Sequence, residues 1–278
     1  MHATAQMTML GSGLEQFERN RYFYGKMLDA FHFELETDYH TAKRWLINRA
    51  ILGYGVVCGL DVVPAKDQRD SIVVTPGFAI DKWGREIVVP KATRPIQIPP
   101  DVIAKAKELR EKKPYDESYA HQQGEPEQGK PYHEEEKVCV QVMICYHECE
   151  TDPVPVLASD CHSAEPCAPG TIREGYRIEF RHICDRPNND QCQIPHIVSQ
   201  GKIDYDRLVE WVTRERDCLA PPKDPCLRLA HVRLSDDDGH RCDPDNVDIT
   251  VRPIVYANDV LFDILLGWQT QPSSRREK

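Results

Sequence analysis

Four cysteines, Cys145, Cys149, Cys161 and Cys167, fall within one short stretch, and four thiolates brought together complete a tetrahedral zinc shell. A closed four-sulfur shell is structural rather than catalytic. The spacing of three, then eleven, then five intervening residues departs from the two-residue zinc knuckle, so disulfides fit these cysteines equally well. His147 and His162 could each replace a sulfur. Cys184, Cys192, Cys218, Cys226 and Cys242 are spread more widely, which suits loop-pinning disulfides better than one ion, with His240 as an extra donor. Eleven cysteines is an odd number, so any intramolecular disulfide scheme leaves at least one unpaired.

Other chemistry is not signalled. There is no phosphate-cradling glycine loop, nucleophile elbow, zinc-protease helix or dinucleotide fingerprint, and the chain is expected not to be an enzyme. The acidic run Asp236–Asp238 lacks the alternating register of a calcium loop and reads as a solvated hairpin turn. A net charge of -10 argues against nucleic acid and anionic membranes as partners. Without an apolar stretch of roughly 18 residues or a basic-then-apolar start, we expect no direct membrane insertion and a cytoplasmic location at synthesis.

A different chemistry, that of contact between chains, is carried by Arg21, Tyr22, Phe23 and Tyr24. Aromatic rings need cover and guanidinium groups need partners, and Tyr, Trp and Arg dominate hot spots between chains. The competing reading is a strand entering its own core. Trp45 and Arg49, on the helix that follows, join the expected interface.

The elements that position these residues follow from periodicity. Leu35, Tyr39, Ala42, Leu46 and Ala50 recur at helical spacing, widened by Trp45, between Asp29 as N-cap and Gly53 as stop. Short β runs follow at 56–63, 71–75, 78–80 and 86–89, turning at Pro76-Gly77 and Asp81–Gly84, as in an antiparallel meander. A second helix runs from Pro99-Pro100 to Lys113. The polar stretch 114–136 has too little apolar surface to pack and reads as a linker or insertion. Strands are expected at 137–149 and 173–183, with a Pro- and Cys-rich loop at 150–170 between them. Next come a helix at 205–218 with Leu208, Trp211 and Val212 inward, a hairpin from 226–234 and 247–254, and a terminal helix at 259–266.

The expected fold is therefore α+β and β-rich. An arm at residues 1–15 precedes an antiparallel, sandwich-like domain with a long helix at 16–113. The linker at 114–136 leads to a Cys-rich β domain with one or two helices at 137–278.

Arg21–Leu28, the helix with Lys43-Arg44-Trp45-Leu46-Ile47-Asn48-Arg49, and Gly55-Val56-Val57-Cys58-Gly59-Leu60 occur in that order. Thr75–Asp81, Gly84–Val89 and Thr151–Val156 follow them. Together these blocks resemble structural proteins of phage-tail-like contractile injection systems. The first third is also similar, in element order, to the shoulder domain of the type VI secretion baseplate adaptor, whose subunits trimerise. The resemblance implies a baseplate, spike-cage or fibre/cap adaptor subunit that forms a homo-oligomer, a trimer by the shoulder likeness, and docks on other particle subunits, some of them in released particles. Structural zinc is the one cofactor considered. The alternative is a metal- or disulfide-stabilised ligand-binding module at a tail fibre or particle surface.

Overall fold

Asp29 opens α1 (Ala30–Ile47) by a reciprocal cap. Its carboxylate accepts from the His32 backbone N–H at 3.3 Å, while its own N–H donates to His32 Nδ1 at 3.4 Å. The helix widens into a π-helical turn (Asn48–Leu52), and Gly53 ends it at φ 81°, where a side chain would strain the backbone. Ala42 and Trp45 are buried; Leu35, Tyr39 and Leu46 are half-buried and Ala50 is exposed. The structure is a computed structural model, which describes residues 16–66, 68–112, 138–156, 167–184, 198–199, 202–215, 221–234 and 246–270.

Beyond Gly53 come β1 (Gly55–Gly59), β2 (Val62–Pro64), β3 (Ser71–Val74), β4 (Gly77–Ile80), β5 (Glu86–Val89) and β6 (Ile96–Gln97). The run expected as one strand over 56–63 breaks at Leu60, whose φ is 56°. β1 therefore joins the sheet β1-β4-β5, and β2 joins β2-β3-β6. The two sheets part where the backbones nearly touch. A Cβ on Gly59 would lie 2.1 Å from the Pro76 carbonyl oxygen, and one on Gly77 would lie 2.4 Å from that of Cys58. Only glycine fits such an approach. α2 (Pro100–Lys112) buries Ile103 and Ala106 and packs on β7.

The larger sheet has the order β12-β11-β7-β8, built from β7 (Val138–Pro155), β8 (Cys167–Arg181), β11 (Leu227–Leu234) and β12 (Val247–Asp248). β9 (Val198–Ser199) and β10 (Lys202–Ile203) form a small separate pair. They precede α3 (Tyr205–Glu210), which runs into a π-helical turn (Trp211–Glu215), and α4 (Asn258–Thr270) ends the described chain. All strand pairs in these sheets are antiparallel. The period-2 alternation of β7 sends Val138, Val140, Val142 and Ile144 into the main core, with Met143 and Cys145 forming a small cluster on the opposite face.

Several expectations change. The segment 150–170 is not simply a loop, because β7 continues to Pro155 and β8 starts at Cys167. α3 and its π-helical turn contain no buried residue, and Val212 faces solvent. The hairpin of β11 and β12 pairs only through His231↔Asp248 and Val232↔Val247. The two proposed domains also share one core, since Val56, Leu60, Ile72 and Ile87 belong to the same cluster as Val140, Leu229 and Val232. Residues 1–15, the stretch 114–136, Asp236–Asp238 and His240 lie outside the described residues.

Candidate functional site

The aromatic segment leaves the start of α1 and lies bare. Arg21, Tyr22, Phe23 and Tyr24 are all exposed, Tyr24 completely, and Met27 is 86% exposed. Local bonds give the segment its shape. The Lys26 backbone N–H donates to the Phe23 carbonyl at 3.1 Å, closing a turn, and the Lys26 ammonium donates to the Arg21 carbonyl at 3.2 Å and to Asn20 Oδ1. The Tyr22 hydroxyl donates to the Glu36 carboxylate, which ties the segment to α1. Further apolar side chains are exposed nearby in sequence: Phe31, Phe33, Ile47, Ile51 and Leu52.

Trp45 and Arg49, expected at the interface, are instead taken up by their own chain, at 6% and 9% exposure. The reason is the tight turn between β4 and β5. A Cβ on Gly84 would meet the Trp45 carbonyl oxygen at 2.1 Å, so the helix rests directly on the turn. Asn48 Nδ2 donates to the Gly84 carbonyl at 2.8 Å and to Glu86 Oε1 at 2.9 Å, and Arg44 Nε pairs with the same carboxylate oxygen at 3.0 Å. Arg49 reaches the Trp83 carbonyl at 3.5 Å, and burial pulls its pKa down. Of the six residues expected at an interface, Arg21, Tyr22, Phe23 and Tyr24 are thus the ones left on the surface.

Sequence reasoning missed a second apolar surface. On α4, Val260, Leu261, Phe262, Ile264, Leu265 and Leu266 are all exposed, although such side chains gain roughly 1.5–3 kcal/mol each from full burial. The Val56↔Ile254 bridge brings the chain leading to α4 beside β1. The signal was present in the sequence as a helix apolar on almost every face.

The cysteines resolve differently from the expected quartet. Cys145 is bonded to Cys226, and Cys139 to Cys184. Cys149 and Cys167 are free and exposed. Cys149 lies opposite Arg173 and Cys167 opposite Pro155, six residues apart along the ribbon, or about 20 Å at the strand rise. They cannot share an ion, and Cys161 lies outside the described residues. The same is true of Cys192, Cys218 and Cys242, while Cys58 is a further exposed free thiol.

The structure brings together two other groups: Cys139, Cys184 and His231, and Cys145, Glu179 and Cys226, with donor atoms within 4.8 Å of one another in each. Either could hold a metal once its cysteines are reduced; as they stand, the sulfurs are paired. His231 is buried and its Nε2 lies 3.2 Å from the Gln141 side chain. Cys139 and Cys145 are six residues apart on one strand and therefore face the same way, a period-2 signal that could have identified them as paired staples.

The segment leading to Cys226 meets the β4–β5 turn, which carries a buried ion pair. The Asp81 carboxylate accepts from Arg85 Nε at 2.7 Å and from the backbone N–H groups of Trp83 and Arg85. The Arg85 guanidinium also lies 4.7 Å from the Trp83 ring and 4.6 Å from that of Tyr146. Trp83 Nε1 donates to the Pro222 carbonyl at 2.7 Å, and Lys82 N–H to that of Pro225 at 3.3 Å, which joins this turn to the segment before β11. Arg181 grips Asp224 through NH1 at 2.5 Å and NH2 at 3.1 Å, and this hydrogen-bonded partner holds the Asp224 carboxyl below the usual range.

Among the described residues no helix is long and apolar enough to cross a membrane. No protein-family model matches the chain, and the search of curated proteins found no match either.

Proposed function

We propose that this chain is a structural, non-catalytic subunit of a contractile injection particle of the phage-tail-like kind, in its baseplate, spike cage or fibre/cap adaptor. It assembles as a homo-oligomer, a trimer, and docks on other particle subunits. The observation that carries this reading is the exposure of Tyr22, Phe23, Tyr24 and Met27 together with the apolar length of α4. An isolated chain gains nothing from that exposure, whereas stable interfaces bury roughly 800 Å² per partner around aromatic and arginine anchors. The resemblance of the blocks at 21–28, 43–49 and 55–60 supplies the kind of particle. If zinc is taken up, the group of Cys139, Cys184 and His231 is its place in the reduced protein, with a fourth donor from solvent or a partner.

The test is solution mass by light scattering for the wild-type chain and for Tyr22→Ala/Phe23→Ala/Tyr24→Ala, alongside incorporation of each into assembled particles. Trp45 is left intact, because truncating it would damage the fold. The wild type is expected at a multiple of the chain mass and the variant at a lower mass with poor incorporation. A wild type that stays single at high concentration, with a variant incorporated equally well, would remove the proposal.

A further inference from the structure

Every residue of α4 from Asn258 to Leu265 is exposed, on all sides of the helix. The span carries Val260, Leu261, Phe262, Ile264 and Leu265, so its bare surface is mostly apolar. A helix hydrophobic all round is one made to be covered, and a helix of 13 residues without cover is marginal in water. Its root is nonetheless fixed. Val56 N–H donates to the Pro253 carbonyl at 2.9 Å, Val255 N–H donates to the Val56 carbonyl at 3.0 Å, and a Cβ on Gly55 would lie 2.7 Å from Pro253. The approach to α4 is thus pinned to β1.

The aromatic segment before α1 is its counterpart. The turn from Phe23 to Lys26 and the bond from Tyr22 to Glu36 hold the rings in place while leaving them bare. At about 200 Å² for a large side chain, the exposed parts of Tyr22, Phe23, Tyr24 and Met27 come to roughly 600 Å². That is most of the roughly 800 Å² each partner of a stable interface buries.

The charged residues set among these two surfaces are of opposite sign. Arg19 and Arg21 are exposed and Lys26 is half-buried, and Glu18 is the one acid in the sequence 16–28. On α4, Asp259 and Asp263 are exposed one turn apart, and the sequence 253–270 holds no lysine or arginine. A parallel bundle of α4 with its own copies would bring these carboxylates together, which repulsion disfavours. Guanidinium groups match carboxylates, and rings match an aliphatic helix face.

Because one chain carries both surfaces, a contact between them in two copies leaves a helix unfilled at one end and an aromatic segment at the other. Such a head-to-tail contact repeats until it closes into a ring. We propose that α4 of one copy docks on the aromatic segment, residues 19–28, of the next, with Asp259 and Asp263 facing Arg19 and Arg21. This rests on the assembly reading and names the two surfaces that the assembly joins.

The experiment uses the full chain and solution mass by light scattering. A segment variant, Tyr22→Ala/Phe23→Ala/Tyr24→Ala, and a helix variant, Phe262→Ser/Leu265→Ser, change only exposed side chains. Each alone should run as a single chain. Mixed in equal amounts they should form a one-to-one heterodimer, because one intact helix and one intact segment remain between them. A charge series provides a second readout. Arg19→Glu/Arg21→Glu and Asp259→Lys/Asp263→Lys should each weaken self-association by about tenfold, and all four changes in one chain should restore it to within about threefold. An oligomeric wild type whose helix variant keeps the same mass, a mixture that does not pair, or a fourfold-substituted chain without recovery overturns this inference and leaves the assembly reading standing. A helix variant of wild-type mass that is left out of particles assigns α4 to a different subunit and also overturns it. A wild type that stays single overturns both. If the helix variant does not fold, the charge series decides.

Discussion

The β7–β8 ribbon has two halves made of the same pairing and met by opposite surroundings. At its base, Val138 and Val140 to Tyr146 are buried, with β11 alongside and the main core beneath. At its tip, His147 to Pro155 and Cys167 to Gly175 have, among the described residues, only each other as strand partners, and Ile172 is 66% exposed. Thr151 and Thr171 share a hydrogen bond across the tip at 2.7 Å, and Thr171 donates to Asp152 at 2.5 Å. Alternation of side chains is common to both halves. What separates them is whether a third surface is present, and a bare two-stranded ribbon is marginal in water. In the assembly proposed above, the tip has most to gain from a neighbour.

The comparison can be broken most severely at the base. Asp81→Ala would leave Arg85 charged and buried beside Tyr146, and should destabilise the chain by about 3–5 kcal/mol in a denaturant titration. A loss below about 1 kcal/mol would mean that the base tolerates water after all. Truncation then compares the two halves directly. Ile144→Ala should cost about 3 kcal/mol from transfer and cavity together, and Ile172→Ala less than about 0.5 kcal/mol in the dissociated chain. Similar losses at the two positions would abolish the distinction between base and tip.

The staple at the base comes next. Replacing Cys145 and Cys226 together by alanine frees a connection spanning 81 residues, and should lower stability by about 2–3 kcal/mol. An unchanged melting curve would show that β11 holds β7 without it. The smallest effect is electrostatic. Arg181 depresses the folded-state pKa of Asp224, so the pair contributes above the unfolded carboxylate value of about 4, and that contribution is lost as pH falls through the lower folded value. Both side chains are partly exposed, which limits the gain to under about 1 kcal/mol. The stability gap between wild type and Asp224→Asn should therefore close below pH 4; a gap that persists there would assign the effect to shape rather than charge.

The parts of this architecture legible in the sequence are those set by near neighbours. Asp29 and Gly53 mark the ends of the first helical segment because capping and positive φ are local demands. The base of the ribbon shows in the alternation of Val138, Val140, Val142 and Ile144. The tip was hidden by Pro153, Pro155 and Pro169, which argue against a strand unless it is an edge, and in a two-stranded ribbon every strand is an edge. Trp45 and Arg49 were misplaced because their cover, the turn carrying Gly84, is set by contacts some 35 residues away along the chain. The partners of Cys139 and Cys145 depend on how β8 and β11 each register against β7, which spacing between cysteines does not encode. The group of Cys139, Cys184 and His231 and that of Cys145, Glu179 and Cys226 depend on the same two registers.

The single core shared by Val56, Ile72, Ile87, Val140 and Leu229 has a practical corollary for dissecting this chain. Neither the piece ending at Lys112 nor the piece starting at Val138 can satisfy its apolar side chains alone. Made separately, each should be sticky and poorly ordered, and mixed at equal amounts they should recombine into a native-like heterodimer. That behaviour would make the cut chain a natural split reporter.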